Sequence, residues 1–258
     1  MSPFKAYGSQ TAVAPGVHRL GDARVNFYLV EDGDALTLVD AGLPTSWARL
    51  VDHLAVLGRP LEQVRAVLVT HAHPDHIGIA ERLRTQVGAR VWVHESDAPM
   101  LATPRQAARY WRPERSLLRY VARRPAALGG PLHLVRNGGL RVPGVGEMHL
   151  LRPDERVDVP GRPYAVHVPG HTAGSTAFLF PDHGVAFTGD ALVTEDAAIG
   201  RTGPCLICRA FTQDSRAAMA SLDVLAGLDA RLTLTGHGQP WPDAPAGAAR
   251  EARAAGIA

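Results

Sequence analysis

Residues 70–76 read THAHPDH and come directly after an apolar run with the length of a buried β-strand. Alternate residues of an extended chain lie on one side, so His71, His73 and Asp75 can converge on one point, whereas a helix would spread them apart. Pro74 favours the extended form, because the residue before a proline avoids the helical region. The stretch therefore predicts a cluster of metal-binding side chains at the end of a strand.

Three further candidate ligands also stand just beyond an apolar strand, flanked by glycines that permit tight turns. Taken alone, any one of them could be an ordinary polar loop residue. Five imidazoles and two carboxylates together make a nitrogen and oxygen set that suits zinc and, less selectively, iron or manganese. The candidate ligands are His71, His73, Asp75, His76, His171, Asp190 and His237.

Strand and helix patterns alternate along the chain, which indicates an α/β protein. A turn-like EDGD at 31–34 predicts a hairpin between the runs at 25–30 and 35–40. A proline-interrupted stretch at about 95–130 predicts an insert of short helices that forms a lid. The other predicted strands cover 64–70, 89–94, 164–170, 175–180, 184–189 and 231–236, and the other predicted helices cover 47–58, 79–88, 214–226 and the tail at 244–258.

Composition narrows the classes of function. The 258 residues are 46% hydrophobic and 20% charged, so we expect one domain with a sizeable core over residues 1–258. The net charge of +2 does not favour a nucleic-acid or membrane partner and permits a small-molecule substrate. No segment approaches the ~20 apolar residues of a membrane span, and the N-terminus lacks the pattern of a signal peptide. We therefore expect a cytoplasmic protein of undetermined oligomeric state.

The two cysteines, Cys205 and Cys208, are too few for a disulfide-stapled secreted scaffold. Their CxxC spacing occurs in redox and zinc sites, but a structural zinc needs four ligands and only two thiolates are available. We expect them to be buried free thiols.

The order and spacing of the ligands resemble those of the metallo-β-lactamase superfamily over about residues 12–240. The matching motifs are HAHPDH at 71–76, GHTAGS at 170–175, TGDAL at 188–192 and TGHG at 235–238. The resemblance implies a four-layer αββα sandwich, an α/β (α+β) fold, that binds two metal ions at one edge. It implies that one metal ion, most simply zinc, is held by His71, His73 and His171, that the other is held by Asp75, His76 and His237, and that Asp190 bridges them.

The resemblance implies a metal-dependent hydrolase. Two cations ~3.5–4 Å apart can lower the pKa of a shared water and supply a bridging hydroxide that attacks a carbonyl carbon. Asp75, between ligands of both sites, could orient this hydroxide and pass its proton to the leaving group. Asp40 is either a hydrogen-bond partner of a ligand imidazole or a turn residue before Gly42. The resemblance therefore predicts cleavage of an ester, lactone, thioester or amide.

The chain lacks part of the sequence signature of each hydrolase subfamily that we compare with it. True β-lactamases with a similar GHTAGS motif replace the bridging aspartate, which is present here as Asp190. Lactonases place a tyrosine shortly after that aspartate, where this chain has ALVTED. Glutathione thioesterases add a C-terminal helical domain, and only about 20 residues follow His237. The alternative is an iron-dependent oxidoreductase on the same fold, but such enzymes have glutamate at position 73 and an attached flavin domain.

Substrate selection is expected to depend on the insert at 95–130 and on residues 196–213. Aromatic side chains there could line an apolar pocket, and arginines could bind a carboxylate or form a solvated helical face. The residues in question are Tyr110, Trp111, Tyr120 and Phe211, and Arg105, Arg109, Arg112 and Arg209.

Overall fold

The structure is a computed structural model that describes residues 11–152 and 155–258. Its strands are β1 (Thr11–Ala14), β2 (Val17–Arg19), β3 (Tyr28–Asp32), β4 (Ala35–Val39), β5 (Val64–Leu68), β6 (Arg90–His94), β7 (His149–Leu151), β8 (Tyr164–His167), β9 (Thr176–Phe180), β10 (Val185–Gly189), β11 (Val193–Asp196), β12 (Arg201–Cys205) and β13 (Leu232–Thr235). Its α-helices are α1 (Ser46–Leu57), α2 (Ala80–Val87), α3 (Ala98–Ala102), α4 (Leu117–Arg123), α5 (Gly129–Arg136), α6 (Ser215–Ala226) and α7 (Pro245–Ala255).

The strands form two main sheets. The first has seven strands in the order β1 to β7, antiparallel from β1 to β4 and parallel from β4 to β7. The second has the order β13-β10-β9-β8, in which β10 and β13 are parallel. Because parallel strands end at the same edge of a sheet, the loops after β4, β5 and β6 lie together, as do those after β10 and β13.

Alternating side chains place most of the core in three large apolar clusters. In β3, Leu29 faces α1, α2 and α3, whereas Tyr28 and Val30 lie between the two sheets. A third cluster packs α6 and α7 against the outer face of the second sheet, for example through Leu222. The layers are therefore helix, sheet, sheet, helix, which confirms the predicted four-layer αββα sandwich.

The elements predicted from hydrophobic periodicity are all present, including the β3–β4 hairpin, which turns through Gly33. The predicted insert contains α3, α4 and α5 with short 3-10 turns between them, and it extends beyond residue 130 to Arg136. Prolines begin two of these turns, at Pro104 and Pro125, because a proline is tolerated at the start of a helix but not inside one. That the insert acts as a lid stays a prediction.

The remaining elements were not predicted individually. β7 is three residues long, and β11 and β12 pair in a separate antiparallel hairpin within the stretch at 193–205. Within residues 11–152 and 155–258, no helix combines the length and apolar character needed to cross a bilayer.

Cys205 and Cys208 are buried free thiols, as predicted. Burial raises the pKa of each thiol to about 12, so both are protonated near neutral pH. Neither belongs to the clusters of potential metal ligands in the described residues. Cys205 packs with Val193 and Ile207, and Cys208 packs with Ala127, Ala198 and Ala210.

Candidate metal centre

The structure brings all seven candidate ligands to one edge of the sandwich, each in a loop at the end of a strand. They fall into overlapping groups whose ligand atoms lie within 4.8 Å of one another. One group is His71, His73 and His171; another is Asp75, His76 and His237; a third joins His71 and His76 to Asp190. The first two groups are the sets that the family resemblance implies.

The spacing within the first group fits a metal ion. Nδ1 of His73 lies 3.1 Å from Nε2 of His71 and 2.9 Å from Nε2 of His171. Nitrogens bound to tetrahedral zinc at about 2.0–2.1 Å are separated by roughly 3.3 Å. The three imidazoles thus present their ring nitrogens to one point, as a cation would require.

Asp190 faces both groups. Its Oδ2 lies 3.5 Å from Nε2 of His171 and 3.0 Å from Nε2 of His237, and its Oδ1 lies 3.6 Å from Nε2 of His76. Oδ1 of Asp190 and Nε2 of His76 are buried and have no hydrogen-bond partner among the described residues. Buried polar atoms are rarely left unpaired, so two such atoms facing each other fit a site for a metal ion.

The candidate ligand histidines fall into two sets, one with lowered and one with raised pKa values. Burial lowers the pKa of His73 to about 4 and holds the pKa values of His71 and His171 well below the usual range, so these rings are neutral, as metal binding requires. Burial also lowers the pKa values of His76 and His237, but Asp190 and nearby carboxylates outweigh it and raise them to about 9 and about 10. Without a cation, protons on these two rings balance the carboxylates, and a bound cation would replace them.

Asp40 positions ligands of both groups, which decides between its two predicted roles. Its Oδ2 lies 2.9 Å from Nδ1 of His76, and its Oδ1 accepts a hydrogen bond from the backbone N–H of Thr70. The hydroxyl of Thr70 bridges Asp40 to Nδ1 of His71, at 2.9 and 3.1 Å. Partners on Nδ1 direct Nε2 of His71 and His76 toward the metal centre.

Asp97, after β6, is a site residue that sequence reasoning missed. The carboxylate is buried and accepts hydrogen bonds from the backbone N–H of Ala72, the hydroxyl of Thr172 and the backbone N–H of Gly174. It therefore joins the loop at 70–76 to the loop at 170–175. Its position after the next parallel strand is the one signal that could have indicated it.

The loop that holds His237 is fixed by residues before β3. Nδ1 of His237 donates to the backbone oxygen of Arg24. The side-chain amide of Asn26 donates to the backbone oxygens of Thr235 and Gly238, both at 2.8 Å. These contacts join residues more than 200 positions apart, so no local sequence pattern indicated them.

Of the aromatic residues predicted to line a pocket, Trp111 borders the metal centre. Its ring packs edge-on against His73 with 4.7 Å between ring centroids, and its Nε1 donates to the backbone oxygen of His171. Tyr120 and Phe211 lie apart from the metal centre, in a small cluster around Cys208.

The four arginines considered for carboxylate binding differ in their surroundings. Arg209 pairs with the carboxylate of Glu114, which also accepts a hydrogen bond from Ser215. Across the described ranges, Arg105, Arg109 and Arg112 make no ion pair. The structure therefore gives Arg209 a protein partner.

Comparison of the sequence with known proteins identifies relatives of this chain. The family model of the metallo-beta-lactamase superfamily matches residues 20–237. The probable metallo-hydrolase YflN of Bacillus subtilis is 28% identical, over 90% of this chain and 88% of its own. A hydroxyacylglutathione hydrolase of Cereibacter sphaeroides is 30% identical over 64% of this chain and 49% of its own.

A solved structure has a similar fold. A metallo-beta-lactamase family protein from Thermus thermophilus is 30% identical, with a TM-score of 0.69, and the match covers 95% of this chain and 80% of that protein. The sequence, the fold and the placement of the candidate ligands thus all indicate one family. The chain belongs to the metallo-beta-lactamase superfamily.

Proposed function

We propose that the chain is a dinuclear zinc hydrolase that cleaves an ester, lactone, thioester or amide bond of a small molecule. The observation that carries this proposal is the pair of ligand groups that share Asp190 at one edge of the sandwich. The name of YflN, a probable metallo-hydrolase, supports the reaction class. The match to a hydroxyacylglutathione hydrolase makes thioesters a substrate class to test first.

In this proposal the three histidines of the first group would hold one zinc, and Asp75, His76 and His237 would hold the other. Asp190 lies near histidines of both groups and would be shared by the two ions. When bound, two such cations supply Lewis acidity toward a carbonyl group and lower the pKa of water toward neutrality. Asp40, through His76 and Thr70, keeps the ligand nitrogens aimed at the centre.

Asp75 is suited to move a proton. Its Oδ2 lies 3.8 Å from Nε2 of both His76 and His237, and its side chain is 20% exposed. Its carboxylate makes no hydrogen bond to the described residues, so it is free to accept a proton from water and to donate one to a leaving group. Trp111 packs edge-on against the neighbouring His73.

Asp75→Asn is expected to lower kcat by about 10²- to 10⁴-fold, because the amide has the same shape but cannot carry a proton. The measurement is kcat as a function of pH, together with the zinc content of the same samples. Full zinc occupancy with low kcat supports the proton-transfer role. Unchanged kcat at full occupancy would show that Asp75 carries no proton.

Metal content and chelation test the proposal as a whole. Elemental analysis of the purified protein is expected to give two zinc ions per chain, and a chelator is expected to abolish hydrolysis of at least one member of a panel of thioesters, lactones, esters and β-lactams. Zinc should restore that activity. Iron without hydrolysis, or no bound metal, would contradict the proposal, and iron with oxygen consumption would favour the oxidoreductase alternative.

A further inference from the structure

A cavity separate from the metal centre lies between the helical insert and the last residues of the chain. Its volume is about 480 Å³, within the range of sites for small molecules. None of the seven candidate metal ligands lines it. Five arginines do: Arg115, Arg119, Arg123, Arg124 and Arg209.

These five guanidinium groups share the cavity with one lining carboxylate, the C-terminal one of Ala258, which makes no ion pair with them in the described residues. Arg209 pairs with Glu114, but the other four arginines make no ion pair within the part of the chain that the structure describes. Residues 105–136 contain eight arginines and one acidic residue, in a chain whose net charge is +2. Like charges four residues apart on a helix, such as Arg119 and Arg123, repel each other. A bound anion would remove this repulsion.

The absence of a side chain at Gly200 leaves room for the guanidinium of Arg124. A methyl group at Gly200 would overlap Nη1 of Arg124, so the guanidinium lies directly against the backbone at this position. Any side chain there would push Arg124 aside. Tyr120, Ile199 and Ile257 add an apolar wall to the cavity.

We propose that this cavity binds a small organic molecule carrying at least two phosphate charges, such as a nucleoside diphosphate. Guanidinium groups bind phosphate oxygens through two parallel hydrogen bonds, and four unpaired ones can hold two phosphate groups. The apolar wall offers a surface for a ring. The site shares no residue with the metal centre, so it does not depend on the proposed hydrolase activity.

The test is calorimetric titration of the metal-loaded full chain with ADP and with inorganic pyrophosphate. Saturable binding is expected for both. The double variant Arg119→Gln/Arg123→Gln is expected to bind at least about tenfold more weakly, because it loses charge-assisted hydrogen bonds. The matched control is Arg65→Gln/Arg141→Gln, which removes two exposed arginines outside the cavity and should stay within about twofold of the wild type.

The control also distinguishes binding in the cavity from binding at the metal centre, because phosphate bound by the metal ions would have the same affinity in both double variants. Equal affinity of the cavity variant and the wild type would overturn the proposal, as would an equal loss in both double variants. A third arm uses vesicles containing phosphatidylserine. Vesicle binding without binding of ADP or pyrophosphate would assign the arginines to a lipid surface and also overturn it. All substituted side chains are at least partly exposed, so folding should be preserved, and melting temperatures measured in parallel check this.

Discussion

Gly236→Ala is expected to lower hydrolytic turnover by at least about 100-fold and to leave fewer than two metal ions per chain. A methyl group at this position would overlap Oδ1 of Asp190 and would lie 2.9 Å from Cε1 of His76. The backbone cannot move away easily, because the N–H of Gly236 donates to Gly189 and its carbonyl accepts from Asn26. The added methyl must therefore displace the carboxylate that faces both ligand groups.

The matched control is Gly130→Ala, which adds the same methyl group where no atom lies within 4 Å. Turnover and metal content of this control should equal those of the wild type. The measurement is kcat together with elemental analysis for each variant. Wild-type turnover with two bound ions in Gly236→Ala would show that the present position of Asp190 is not needed.

Asp97→Ala is expected to reduce the free energy of unfolding by about 3 kcal/mol, the largest effect on stability that we expect from one substitution. It leaves the N–H groups of Ala72 and Gly174 and the hydroxyl of Thr172 without their carboxylate acceptor. Each buried donor left unpaired costs about 1–3 kcal/mol. Burial raises the pKa of Asp97, so removal of this desolvated carboxyl offsets part of the loss.

Urea denaturation of the metal-free protein measures this effect, since bound metal would add its own stabilisation. Glu95→Ala, two residues away and exposed, serves as the control and should change stability by less than about 0.5 kcal/mol. Zinc affinity, measured separately, should also fall for Asp97→Ala because its two loops carry His71, His73 and His171. A loss of stability below about 1 kcal/mol would rule out the proposed clamp between the loops.

The sequence by itself determined the fold class and the residues of the candidate metal centre. Periodicity is a local property, so α1, β5, α2 and the strands of the second sheet were predictable from their own residues. The ligands were predictable for the same reason, because each follows a strand and parallel strands end at one edge. Strands as short as β7 and the irregular β11–β12 hairpin carry too few residues to show a pattern.

Only the tertiary structure decided how the ligands are held. Asp40 is equally consistent in sequence with a turn or a partner for histidine, and its contact with His76 joins residues 36 positions apart. Asp97 binds Gly174 across 77 positions, and Asn26 binds Gly238 across 212. Local sequence cannot encode such pairs.

The same holds for the arginines of the insert. Their sequence is equally typical of a solvated helical face, and of the four arginines first considered for anion binding only Arg209 lines the cavity. Whether a guanidinium faces open water or a cavity depends on what packs beside its helix. Here that is the chain around Ile199 and Ile257, which only folding brings next to α4.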